Sequence, residues 1–127
     1  MTTSRISMTT MSSKICARQR WIWDGEFCGW IDLRSQPGTP DLPPTCLGHI
    51  GYNVVPWKQR RGYATQALAL VLPEARRLGL PFLEIVTTDN NIASQLVITA
   101  NGGVFVERFQ KPPQHGRGPA LRYRIAL

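Results

Sequence analysis

The stretch KQRRGYA, residues 58–64, sets three cations, Lys58, Arg60 and Arg61, around a single glycine, and an aliphatic run follows it. A loop of this kind at the head of a helix turns its backbone N–H groups outward at the positive end of the helix dipole. Glycine there lets an anion approach the backbone closely. The pattern is that of a phosphate cradle, with each exposed cation adding about 0.3 to 1 kcal/mol toward a bound polyanion. It would serve equally as a solvated basic turn, because a short glycine-plus-basic pattern arises readily by chance. Neither GxxxxGK[ST] nor GxGxxG occurs in the sequence, which excludes the phosphate loops of nucleotide triphosphatases and dinucleotide folds.

A cradle needs a strand before it and a helix after it. Residues 47–55, LGHIGYNVV, read as a strand that Pro56 stops, because proline has no amide to give to a ladder. Alternation along this strand puts Ile50, Tyr52 and Val54 on one face and His49 and Asn53 on the other. From 64 to 78 apolar residues recur at three- and four-residue steps, one face of an amphipathic helix, with Gly79 as a left-handed cap. Pro73 inside that helix removes a backbone hydrogen bond and predicts a kink or a fresh turn.

Upstream, Asp24-Gly25 between two apolar-aromatic runs predicts a hairpin with strands over 20–23 and 26–33. Four prolines within 35–45 predict a stiff surface loop. Downstream, the pattern predicts strands over 82–88, 104–109 and 120–125 and a helix over 92–100. Hairpins followed by a strand–helix–strand crossover make an α/β domain with a mixed sheet. Residues 1–18 are Ser/Thr-rich without a clean period and read as a tail or an irregular first element, leaving 19–127 as one domain.

At 127 residues, 43% hydrophobic and 18% charged, the chain has the composition of a single folded unit. Its net charge of +7 favours anionic partners: nucleic acid, acidic protein or a phosphorylated small molecule. The cations outside the loop, Arg18, Arg20, Arg76, Arg77 and those of 111–124, are scattered over several elements, and no nucleic-acid motif accompanies them, so nucleic acid ranks last. No apolar run approaches the roughly 18 residues of a membrane span, and the opening residues lack a secretory segment, so a cytoplasmic protein without a membrane partner is expected. Cys16, Cys28 and Cys46, with His49 and His115, show no metal-ligand spacing; reduced thiols and no metal are expected. Met1, Met8 and Met11 leave the translation start open.

The loop in its setting, strand, proline turn, then QRRGYA, resembles the [Q/R]xxGx[G/A] signature of the GNAT family of acyl-CoA N-acyltransferases, with Gln59, Gly62 and Ala64 at the fixed positions. TTDNNIASQLVITANGG resembles that family's asparagine-led helix closed by a glycine pair, here Gly102-Gly103. The resemblance covers residues 21–127. It implies a GNAT-like fold and acetyl-CoA as co-substrate, its acetyl group passing to a primary amine by direct attack on the thioester. It would lay the pantetheine arm along Val54 and Val55 and the pyrophosphate on the amides of Arg60, Arg61, Gly62, Tyr63 and Ala64. Asn91 would touch the pantetheine or hold the splayed strand end, with Ser94 one turn on, and the amide of Val54 or Val55 would stabilise the oxyanion.

Two departures from the family pattern matter. The segment before Trp21 is too short for the opening strand and helices that wall the acceptor side, so the domain reads as amino-terminally truncated, its pocket open, completed by a second subunit in a symmetric dimer, or absent. The tyrosine that protonates the departing thiolate is replaced by Ile98. Such an acid supplies about 10²- to 10⁴-fold, whereas positioning supplies roughly 7 to 11 kcal/mol, so turnover does not require it. An amine of pKa about 10.4 is neutral about once in 2,500 molecules at pH 7, a penalty of about 4.6 kcal/mol, so a proton acceptor is sought among Tyr52, His49, Asp32 and Glu84. Tyr52 is preferred because it shares the face of Val54; a lone histidine among apolar neighbours is more often structural. The alternative is a non-catalytic CoA- or acyl-CoA-binding relative.

Overall fold

The computed structural model describes residues 6–13, 17–36, 39, 41–43 and 46–127; Cys16, Pro37, Pro40 and Pro44 lie outside that set. Strands β1 (Ser7–Ser13), β2 (Ala17–Trp23), β3 (Phe27–Arg34) and β4 (Ile50–Val54) are followed by helix α1 (Tyr63–Arg77), β5 (Phe82–Thr88), helix α2 (Ile92–Ala100), β6 (Val104–Gln110) and β7 (Pro119–Ala126). They form two antiparallel sheets, ordered β1-β2-β3-β4 and β5-β7-β6.

Period-2 burial sorts the first sheet into two faces. Ile22, Ile31, Leu33, Ile50 and Val54 are buried, as are Ala67, Leu68, Val71 and Ala75 on the facing side of α1. Fully burying a side chain such as Leu68 contributes about 2 kcal/mol. On the opposite face Trp21, Trp23 and Phe27 pack their rings at centroid distances of 5.2 to 6.1 Å. Helix α1 is one continuous helix through Pro73, where a kink or a fresh turn is expected; Pro73 and Ala69, the residue whose carbonyl it leaves unpaired, both face solvent. Glu74, the next residue, is buried against Arg20 and Arg18 of β2 and ties the helix to the sheet.

The Ser/Thr-rich start supplies a strand that its composition hid. β1 pairs with β2 from Ser7 opposite Trp23 to Ser13 opposite Arg18, and Ile6 and Met8, at alternate positions, pack against the core. Among the described residues no helix precedes β2, and only residues 14–16 separate the two strands. Among the described residues the opening strand is present and helices on the acceptor side are not.

The expected mixed sheet resolves into two sheets that meet at one point. His49 N–H donates to Glu84 O at 2.8 Å, and Glu84 N–H donates back to the His49 imidazole Nδ1 at 2.8 Å. No β4–β5 ladder forms beyond this join, and the C-terminal halves of the two strands line a common cleft. Among the described residues no helix is long and apolar enough to cross a membrane.

Candidate active site

The cleft opened by this splay has a volume of about 1040 Å³ and reaches the N-termini of both helices. A short 3₁₀ turn, Pro56–Lys58, leads from β4 to α1. Arg60 (φ 63°) and Gly62 (φ 78°) both take left-handed backbone conformations in the loop that follows. No side chain caps α1. Its first amides therefore keep their hydrogen-bonding capacity, and a Cβ added at Gly62 would meet only the Gln66 amide at 3.9 Å, so the approach is open. Gln59 spans the base of the loop, its Nε2 donating to Val54 O at 2.8 Å. An open, uncapped helix N-terminus with glycine at its mouth suits a phosphate group.

Asp24 of the β2–β3 hairpin holds this loop in place. Its carboxylate accepts from the Tyr63 hydroxyl at 2.7 Å and from Lys58 Nζ at 3.1 Å, and Arg61 lies 3.8 Å away. The Tyr63 hydrogen bond and then the Lys58 ammonium hold the Asp24 carboxyl well below the usual carboxylate range. Glu26 and Asp24 in turn raise Lys58 above its ordinary 10.5. Lys58 is thus a buried structural cation and not a mobile one, and Arg61 is directed at Asp24 and Trp57 O and does not line the cleft. Arg60 is exposed and lines it. Tyr63 offers its amide but turns its phenol inward.

Tyr52 projects from β4, and its hydroxyl donates to Ser94 Oγ at 2.7 Å; Ser94 N–H donates to Asn91 Oδ1 at 3.1 Å. Asn91 is thus the N-cap of α2. Burial pushes the Tyr52 phenol above its ordinary 10, the Ser94 hydrogen bond opposing the shift, so Tyr52 is a proton donor and a poor base.

Val54, Gln59, Gly62, Tyr63, Ala64, Asn91 and Ser94 come together in the cleft. Val55 does not: its N–H is spent on Cys28 O and its carbonyl accepts from Lys58 N–H, both at 2.9 Å, so its amide is not left for a pantetheine or an oxyanion. Antiparallel alternation from the Cys28–Val55 pair turns the amides of Tyr52 and Val54 away from β3, toward the cleft. His49 is withdrawn as a base, since it is 1% exposed and the one basic lone pair of its neutral ring accepts from Glu84 N–H. Glu84 is ion-paired with Arg124 at 2.8 Å, and Asp32 lies 3.8 Å from Arg34. His115, on the β6–β7 connection, is the imidazole that does line the cleft. A histidine in a Gly/Pro-rich loop gave no sequence signal for that place.

The model of the acetyltransferase (GNAT) domain matches residues 5–104. The chain belongs to the GNAT family. No curated protein matches the sequence. Among solved structures, this GNAT chain resembles RimL, a ribosomal L7/L12 alpha-N-protein acetyltransferase in complex with coenzyme A, at 20% identity and a TM-score of 0.72, covering 88% of this chain and 63% of that one. It resembles yncA of Salmonella typhimurium with acetyl-CoA at 16% and 0.67, covering 87% and 65%. A spermidine N-acetyltransferase SpeG variant from Vibrio cholerae matches at 16% and 0.69, covering 87% and 66%. The GNAT chain spans less than two thirds of the length of the first two.

Proposed function

We propose that this GNAT domain is an acetyl-CoA-dependent N-acetyltransferase that moves the acetyl group to a primary amine by direct attack. The carrying observation is the uncapped N-terminus of α1, with Gly62 at φ 78° in front of it, opening into the cleft between β4 and β5. Acetyl-CoA supplies the reactive thioester. The amides from Gly62 to Thr65 and the Arg60 side chain hold phosphate charge, and the outward amides of Tyr52 and Val54 are aligned for the amide-bearing arm. The new C–N bond forms as the C–S bond breaks, and the amine loses a proton. Tyr52, whose one O–H is given to Ser94, presents its hydroxyl oxygen to the cleft as an acceptor. Two matched structures support the reading by carrying CoA or acetyl-CoA.

The described residues put no carboxylate in the cleft, so the amine's proton goes to solvent. On this account kcat/KM climbs about tenfold per pH unit until the amine's own pKa. CoA-thiol release, followed from pH 6 to 9, tests this. An inflection near neutrality that vanishes in His115→Gln would instead make His115 the base. Acetyl-CoA binding with no release for any amine would make the chain a non-catalytic CoA-binding relative, the reading that the lack of a carboxylate base otherwise favours.

A cytoplasmic location and a symmetric dimer complete the proposal. The edge strand β6 exposes Val104, Phe105 and Val106, an apolar edge that a second copy would cover. A monomer mass by light scattering at micromolar concentration would refute the dimer.

A further inference from the structure

Arg34 lies on the face of the first sheet opposite α1, across the backbone of Gly51. A Cβ at Gly51 would collide with its guanidinium, so the glycine is what lets the cation lie there. Arg34 lines the cleft and is partly exposed; its backbone N–H donates to His49 O at 2.7 Å, while its guanidinium meets no hydrogen-bond acceptor among the described residues and has Asp32 as ionic neighbour at 3.8 Å. This is the far end from the phosphate loop. Gly51 precedes Val55 by four residues, about 13 Å at the rise of a strand, and the loop turns onto the other face with α1. Lys111 lines the cleft from the β6–β7 connection.

The carboxylates do not line this cleft, and the one beside Arg34 is Asp32 at 3.8 Å. All eight Asp and Glu residues are among those described, and none lines the cleft. Seven are ion-paired with this chain's own cations: Asp24 and Glu26 with Lys58, and Asp32, Glu74, Glu84, Asp89 and Glu107 with arginines. Asp41 lines a separate hollow of about 210 Å³. A polycationic amine would meet Arg34, Arg60 and Lys111 on the cleft wall with no carboxylate lining it to receive its charge.

From this charge layout, and resting on the acetyltransferase reading, we infer that the acceptor is an amine that also carries negative charge, with Arg34 as the residue that receives its carboxylate. A planar guanidinium offers paired N–H donors to a carboxylate, which fixes the acceptor's orientation as well as its sign. Because Arg34 lies off the phosphate loop, it sets acceptor choice without holding acetyl-CoA.

The test is CoA-thiol release with a panel of free amines: glutamate, an acidic peptide with a free amino terminus, a lysine-rich peptide and spermidine. Acetyl-CoA binding is titrated in parallel by calorimetry, and Tm confirms that each variant is folded. The inference expects an anionic amine to exceed spermidine by about tenfold or more in kcat/KM. Glutamate and the acidic peptide separate a small acceptor from a polypeptide one, and activity on either supports it. Arg34→Gln should erase the preference and Arg34→Glu reverse it, with acetyl-CoA affinity unchanged; Lys111→Gln should weaken the preference in the same direction. Spermidine or the basic peptide turning over as fast as the anionic amines would overturn the inference and leave the acetyltransferase reading standing. A preference that survives Arg34→Glu would overturn it as well. Failure of the folded wild type to bind acetyl-CoA would remove the reading and the inference together.

Discussion

Two helix N-termini open on the same cleft, and they are finished differently. Helix α2 begins at Asn91, whose side chain accepts from Ser94 N–H, so the helix satisfies itself. Helix α1 begins at Gly62 with no side-chain cap and the backbone at φ 78°. A capped end is stability kept within the chain; a bare end is hydrogen-bonding capacity kept for a ligand. The bare end is also the braced one. Asp24, Lys58, Tyr63 and Gln59 fix its loop from behind, whereas α2 relies on its own cap and on Tyr52.

Among the side-chain replacements that test this contrast, the brace should show the largest effect. Asp24→Asn leaves Lys58 in a buried place with only Glu26 as partner, and acetyl-CoA affinity is expected to fall at least about tenfold by calorimetry, with a large drop in Tm. The depressed Asp24 pKa makes a second, signed expectation. Its stabilisation is complete above the ordinary carboxylate value of 3.8 and is lost as pH falls below it toward the folded-state value, so Tm measured down the acid limb should be flatter in Asp24→Asn than in the wild type.

Next in size, Asn91→Ala should cost about 1 kcal/mol of stability in a denaturant titration with little change in acetyl-CoA affinity. A loss of affinity larger than the loss of stability would mean that Asn91 meets the ligand and is no mere cap. Gln59→Ala removes the strap to Val54 O and should lower acetyl-CoA affinity by about 1 kcal/mol, roughly fivefold. Smallest of the set, Arg60→Ala should cost about 0.3 to 1 kcal/mol of binding and lose its effect in high salt, since the side chain is exposed.

The bare end was legible in the sequence and its brace was not. Gly62 within QRRGYA, the helix period after it and Pro56 before it are local signals, and local signals survive without coordinates. Asp24 was readable only as a hairpin residue, because its partners Lys58 and Tyr63 lie 34 and 39 residues away. Lys58 looked like one of three mobile cations for the same reason. His49 had the right side chain for a base, but the hydrogen bond that occupies it comes from the backbone of Glu84, on a strand 35 residues later. β1 escaped notice because, among the described residues, only Ile6 and Met8 mark its inner face and the residues around them are mostly Ser and Thr. At Val55 the strand pattern was correct, and the misreading lay in which of its edges the amide faces, a matter of register with β3 that one strand alone does not contain.

The most direct test of the bare-end account is calorimetric titration of acetyl-CoA into the wild type and into Gly62→Asp. The substitution places a carboxylate where the phosphate is proposed to sit and strains a backbone at φ 78°. The account predicts micromolar binding by the wild type and a loss of about 100-fold or more in the variant, about 2.7 kcal/mol, with the fold retained. Equal affinity in both proteins would contradict it and would move the phosphate site away from α1.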